Sequence, residues 1–225
     1  VIVDACEGHG GILHGVHISR YGSIKAATYS FYTAHLIQGG EGGCVCTDDD
    51  ELADLCRSIK SHGRPAGLNY FDFKRIGFNA KWGECQAAIA LESLEKFDET
   101  FAKRREVRAK LIQALEPFED RLILYRDAPG EIIAPHAMAV ILRDESADVT
   151  PLYRHLEKMG VEVKTLFGSL PTQHRAFERM GYKLGGFPVA ERIGRTGFHF
   201  GCHEHMTGED VDYIYGYSLE GSATP

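Results

Sequence analysis

Long apolar runs are the first thing this chain lacks. No stretch of its 225 residues supplies the roughly 18 apolar positions that a membrane-spanning helix needs. Basic runs are missing as well. Acidic side chains outnumber basic ones 32 to 25, the formal net charge is −7, and this balance argues against nucleic acid as a partner. No secretory leader is expected from the first residues. No CxxC pair occurs, and the six cysteines (Cys6, Cys44, Cys46, Cys56, Cys85, Cys202) are scattered. The single CxC, Cys44 and Cys46, falls in an apparent strand, where residues two apart share a face. Reduced thiols and a cytoplasmic setting are the expectation. A starting methionine is also lacking: Val1 opens the chain inside what reads as a strand.

What remains is ordinary globular material, 44% hydrophobic and 25% charged, with length for one large or two small domains. Val1 to Asp4 reads as the end of a buried strand, followed by a glycine-rich turn through Gly11. Ile18 to Gly22 and Ala26 to Phe31 carry short-strand character. Gly43 to Thr47 is another strand, and Thr47-Asp48 caps a helix that ends at His62-Gly63. Residues 64 to 78 form an aromatic loop. One long helix is expected from about Gly83 to Glu116, with Leu91, Leu94, Phe97, Phe101, Val107, Leu111 and Leu115 as its apolar stripe and Pro117 as its stop. Beyond it the order is strand (Arg121 to Tyr125), strand (Met138 to Arg143), helix (Val149 to Met159), strand (Val161 to Thr165), strand (Phe198 to Gly201), and a last helix opened by Thr207. That order suits a small antiparallel sheet covered by helices.

The densest feature is Ser30 to Gly43, SFYTAHLIQGGEGG. It has an aromatic lead-in, one ionisable side chain in its middle (His35), and a close of Gly39, Gly40, Glu41, Gly42 and Gly43. Glycines this dense let the backbone turn sharply or approach a ligand closely. On these residues alone the stretch is equally a loop between two strands with a surface histidine.

The stretch resembles the signature of the DegT/DnrJ/EryC1/StrS sugar aminotransferases, pyridoxal-phosphate enzymes of fold type I. In that family Ser-Phe is followed by a lysine and then by Gly-Glu-Gly-Gly. Ser30, Phe31 and Gly40 to Gly43 match; His35 stands where the Schiff-base lysine belongs. A histidine cannot form that imine, but it moves protons near neutral pH. Histidine here resembles the family's 3-dehydratase branch, typified by GDP-4-keto-6-deoxymannose 3-dehydratase. The resemblance implies an α/β chain that is the C-terminal portion of the fold. Residues 1–83 would be part of a large cofactor-binding domain, 84–117 a long linking helix, and 118–225 a small α+β domain. It also implies that about the first two-fifths of a family member precedes Val1.

The remaining site residues follow from the same resemblance. Asp4-Ala5-Cys6-Glu7 is similar to the family's Asp-x-x-Gln segment, whose aspartate pairs with the cofactor's pyridine nitrogen; read alone, Asp4 is a helix N-cap. Glu7 stands at the glutamine position, as a ring contact. Ser30 matches the serine that bonds the cofactor phosphate. Gly77-Phe78-Asn79 resembles a Gly-Tyr-Asn segment, in which Asn79 would reach the phosphate of a neighbouring subunit, implying a homodimer with shared sites. Leu166 to Gln173 resembles a nucleotide-sugar loop, with Phe167 and Gly168 as substrate contacts. His203 and His205 could suggest a metal, but two ligands without a convergent third are a weak pattern, so no metal is expected. The implied reaction is removal of the 3-hydroxyl from a nucleotide-linked 4-keto-6-deoxyhexose. His35 would be the base and acid, and L-glutamate would regenerate the pyridoxamine phosphate. The rivals are a sugar aminotransferase, which needs a lysine that this motif lacks, and an inactive member with a binding or regulatory role.

Overall fold

The computed structural model describes residues 1–65, 67, 72–166 and 174–218, with the backbone alone of residues 217 and 218. In chain order the strands and helices are β1 (Ile2–Asp4), β2 (Ile12–Leu13), β3 (Val16–His17), β4 (Ala26–Ser30), β5 (Gly43–Cys46), α1 (Asp50–Ile59), α2 (Glu84–Glu95), α3 (Phe97–Leu115), β6 (Leu122–Leu124), β7 (Glu131–Ile132), β8 (Ala137–Leu142), α4 (Thr150–Lys158), β9 (Val163–Thr165), α5 (Pro188–Thr196), β10 (Gly197–Gly201) and α6 (Gly208–Ser218). They form two compact units. The first joins Val1–Phe101 with Asp127–His136, and the second joins Ala102–Arg126 with Ala137–Pro225.

In the first unit β1 runs parallel to β4, with Asp4 opposite Thr28, and β5 runs antiparallel along β4's other edge. Small side chains allow close packing here: Ala5, Ala27 and Tyr29 make a compact buried cluster with Val3 and Ile18 against it. A ribbon of two-residue strands, ordered β3-β2-β7, pairs Ile12 with Ile132. That pairing brings the segment that ends at His136 into the first unit.

The second unit is an antiparallel sheet ordered β6-β8-β10-β9. Alternation decides its core: Met138 and Val140 of β8 pair with Phe200 and Phe198 of β10 and all four are buried. Val107, Leu111 and Leu115 of α3, Leu156 of α4 and Val211 and Ile214 of α6 complete that cluster. Burying each such side chain is worth about 1.5–3 kcal/mol. At the helix starts the polar residues do the fixing. Thr207 and Asp210 bond each other's backbone N–H at α6, a reciprocal cap. Pro151 and Pro188 sit in the first turns of α4 and α5, where no intrahelical donor is lost.

Several sequence expectations are corrected. The single long helix is two, α2 and α3, because Lys96 (φ −95°, ψ 4°) leaves the helical region between them. Asp98 and Glu99 then supply the negative first turn that a new helix start favours. The expected stripe is buried only in its later half: Leu91 and Leu94 are more than half exposed, whereas Leu111 is 0% exposed. Ile18–Arg20 is a 3-10 turn rather than a strand, capped by the His17 ring accepting from Ser19 N–H. β1 is exposed, Ile2 at 65%, because it pairs with β4 alone. The cap of α1 is Asp49, which accepts from Leu52 N–H at 2.9 Å, not Thr47-Asp48. Tyr70 and Phe71 of the aromatic loop lie outside the described residues.

Candidate active site

Two strands of the first unit end side by side. Because β1 and β4 are parallel, Asp4 and Ser30 lie at the same, carboxyl edge of the pair, the edge at which ligands gather in α/β sheets. Asp4 caps no helix. Its carboxylate accepts from Cys6 N–H at 3.1 Å. The Cys6 thiol and then the Cys6 N–H hold it below the ordinary range, with a smaller contribution from His35. It is therefore anionic across neutral pH. Ser30 Oγ accepts from Tyr32 N–H at 3.2 Å, turning the chain out of β4.

That turn carries His35 inward. The histidine, which its local residues alone would equally leave at the surface, is 8% exposed. Its Nδ1 lies 3.1 Å from the Ser30 carbonyl oxygen. A carbonyl can only accept, so Nδ1 carries the hydrogen, and in the neutral imidazole Nε2 holds the lone pair. The His136 ring meets the His35 ring edge-on at 5.2 Å, and Glu7 Oε1 lies 3.4 Å from His136 Nε2. Glu7, His35 and His136 each offer a ligand atom within 4.8 Å of the others.

His9 fills the space behind them. It is 5% exposed, packed 5.1 Å from the Tyr29 ring and 6.3 Å from the His35 ring. Neither of its ring nitrogens has a hydrogen-bond partner. Burial, reinforced by the neighbouring imidazoles of His35, His136 and His17, pushes its pKa down to about 4.

Two of the four glycines, Gly39 and Gly42, are explained by Trp82. Its ring stacks on Phe31 at 5.0 Å and its Nε1–H donates to Glu41 O at 2.7 Å. A Cβ on Gly39 would come within 2.8 Å of the indole, and one on Gly42, whose φ is +137°, within 2.6 Å. The backbone behind it is clamped: Phe31 N–H donates to Gly42 O at 2.9 Å and Gly39 N–H to Phe31 O at 2.7 Å.

Of the sequence-expected residues, Asp4, Glu7, Ser30 and His35 share this region. Asn79 is exposed, bridged to Ser61 and accepting from Lys81 Nζ. Phe167 and Gly168 lie outside the described residues. In the second unit, the His203 and His205 rings are 6.1 Å apart, and Glu204 between them bonds Arg104 at 2.8 Å. Sequence reasoning missed His9, His136 and Trp82. His9 had a signal, its place two residues after Glu7 among glycines; His136 had none.

A strand-edge carboxylate, a buried histidine and a tight glycine turn thus share the carboxyl edge of the β1–β4 pair. The chain matches the DegT/DnrJ/EryC1/StrS aminotransferase family over residues 1–217 and belongs to that family. It is 26% identical over 246 residues to dTDP-4-dehydro-2,6-dideoxy-D-glucose 3-dehydratase of Saccharopolyspora spinosa, covering 95% of this chain and 51% of that protein. It is 29% identical over 223 residues to GDP-perosamine synthase of Caulobacter vibrioides, covering 95% and 56%. The crystal structure of a family aminotransferase from Brucella abortus superposes with a TM-score of 0.80 at 26% identity, over 96% of this chain and 55% of that one. The fold is thus the family's fold type I. The chain spans about half the length of these relatives.

Proposed function

We propose that this chain carries part of the active site of a pyridoxal/pyridoxamine-phosphate-dependent nucleotide-sugar 3-dehydratase, acting on a nucleotide-linked 4-keto-6-deoxyhexose. The observation that carries the reading is His35, buried at the glycine turn in the lysine position with its Nε2 lone pair free of the Ser30 bond. A relative that bears a 3-dehydratase name supports it.

The residues present suit the cofactor. When bound, it would supply an electron sink that makes carbon–hydrogen bonds of an attached sugar acidic. Asp4, anionic at the strand edge, would pair with the ring nitrogen and keep it cationic, with Glu7 beside it. Ser30, at the adjoining strand end, would hold the phosphate. His35 Nε2 would take a proton and return one as the 3-hydroxyl leaves, and unlike a lysine it forms no imine that would compete for the cofactor. Phe167 and Gly168 would meet the nucleotide sugar, and L-glutamate would restore the amine form. Asn79 would serve the site of a second subunit in a homodimer. Its neighbours Ile76 (94% exposed) and Phe78 (69% exposed) are the sort of side chains an interface covers. Residues 1–83, 84–117 and 118–225 would be the partial cofactor domain, the link and the small domain. A cytoplasmic setting suits six free thiols. Among the described residues no helix is long and apolar enough to cross a membrane.

The family's name favours transamination as the second reading, but the lysine it needs is not in the motif. The test is an absorbance spectrum with pyridoxal phosphate, before and after L-glutamate, beside His35→Lys. The expected result is bound cofactor with no borohydride-trappable adduct in the wild type, conversion by glutamate, and a trappable adduct in the variant. A lysine adduct in the wild type would return transamination to the front. No bound cofactor at all would leave an inactive member with a binding role.

A further inference from the structure

Three side chains from distant parts of the sequence converge in the first unit: Glu7 after β1, His35 after β4, and His136 at the end of the segment that β7 ties to β2. We propose that Glu7, His35 and His136 form a binding site for a divalent transition-metal cation of the zinc type, with a further coordination position open. The proposal goes beyond the cofactor reading but shares Glu7 and His35 with it, so the cation and the proton-transfer role of His35 exclude one another, and the site is that of the cofactor-free chain.

Three features carry it. The donor set is two imidazoles and a carboxylate, which zinc accepts at about 2.0–2.2 Å per bond with a fourth position left for water. Two ligands at that bond length around a tetrahedral centre lie about 3.4 Å apart. Glu7 Oε1 and His136 Nε2 are 3.4 Å apart, and no pair in the group exceeds 4.8 Å. Glu7 is the side chain with room to adjust, 48% exposed against 16% for His136. Second, His35 is prepared as a ligand. Its Nδ1–H is committed to Ser30 O at 3.1 Å, the backbone bond that orients a metal-binding imidazole and leaves Nε2 basic. Third, Glu7, the most exposed of the three side chains at 48%, leaves the group a side toward solvent by which a cation would enter. An ion pair between Glu7 and His136 explains their contact alone; it does not explain a third donor, already in the right tautomer, edge-on to His136.

A rival soft site exists on the same unit. Cys44 and Cys46, both exposed, have their sulfurs 4.0 Å apart. The experiment separates the two. The 225-residue chain, freed of metal and kept reduced, is titrated with Zn(II) by calorimetry and with Co(II) by visible absorption. His136→Ala, Glu7→Gln and the Cys44→Ser/Cys46→Ser pair are run alongside. One equivalent is expected to bind the wild type. Each of the first two variants should weaken binding by at least about tenfold, since loss of an outer-shell partner alone already costs that much. The cysteine pair should bind as the wild type does, with Co(II) bands free of sulfur charge transfer. Glu7→Gln alters an exposed side chain, so it reads the site even if His136→Ala unfolds. Binding unchanged in Glu7→Gln, or abolished in the cysteine pair, overturns the proposal, as does no binding by the wild type. Because the titration needs no pyridoxal phosphate, its failure is distinct from failure of the cofactor reading.

Discussion

Gly42→Ala tests whether the glycine turn is shaped by Trp82. Gly42 has a φ of +137°, a region essentially closed to residues with a Cβ, and occupying it costs about 1–3 kcal/mol. The added methyl would also lie 2.6 Å from Trp82 Cε2, so the indole must move. Moving it gives up the bond to Glu41 O and the stack on Phe31, each worth about 1 kcal/mol. The expected loss is about 3–5 kcal/mol. Gly40→Ala is the control. Its φ is +79° and nothing lies within 4 Å of the site of its Cβ, so only the left-handed backbone cost of about 1–2 kcal/mol applies. Trp82 is the only tryptophan, so its fluorescence in a urea titration reports this unit directly. Gly42→Ala should fall at least about 1 kcal/mol below Gly40→Ala. If the two unfold within about 0.5 kcal/mol of each other, contact with Trp82 does not set the turn.

Two further substitutions probe buried charge. His9 is neutral when folded because burial and its imidazole neighbours push it from 6.5 to about 4. The unfolded chain therefore takes up a proton that the folded chain refuses, and stability declines as pH falls from 6.5 towards 4. About 2 kcal/mol should be gone by about pH 5, and His9→Phe should flatten that part of a urea-midpoint profile; an unaltered slope would assign the loss elsewhere. In the second unit, burial pushes the Glu204 carboxyl up, but its own backbone N–H and the Arg104 guanidinium outweigh this and hold it below 4.5. That contribution is present above pH 4.5 and fades as pH falls through the lowered value. Arg104→Met strands a carboxylate that is only 16% exposed, at an expected cost of about 3 kcal/mol near neutral pH. Adding Glu204→Leu should recover part of it, and a double variant no more stable than the single would show that the pair is not the source.

The elements best read from sequence are those whose pattern is local. β8, β10 and α4 fall where alternation and Pro151 place them, since a strand's buried face and a helix's first turn are set by neighbours two to four residues away. α5 carries no clear helical pattern, because Gly194 and Thr196 on its buried side break the apolar period. The two-residue strands β2, β3 and β7 carry too few positions for any period. The site divides in the same way. Asp4, Ser30 and His35 lie on segments whose order of residue types is itself the signal, and the geometry joins Asp4 and Ser30 through one parallel pairing. Burial of His35 was not readable, because it depends on Ser30 O, reached only when the chain folds back after β4. His136 is the limiting case. Its place beside His35 rests on Ile12 pairing with Ile132, a contact between two short strands far apart in sequence. Neither strand is long enough to announce the other. A residue that reaches a site through such a pairing becomes visible only once the ribbon exists, and the third ligand of the proposed cation site is of that kind.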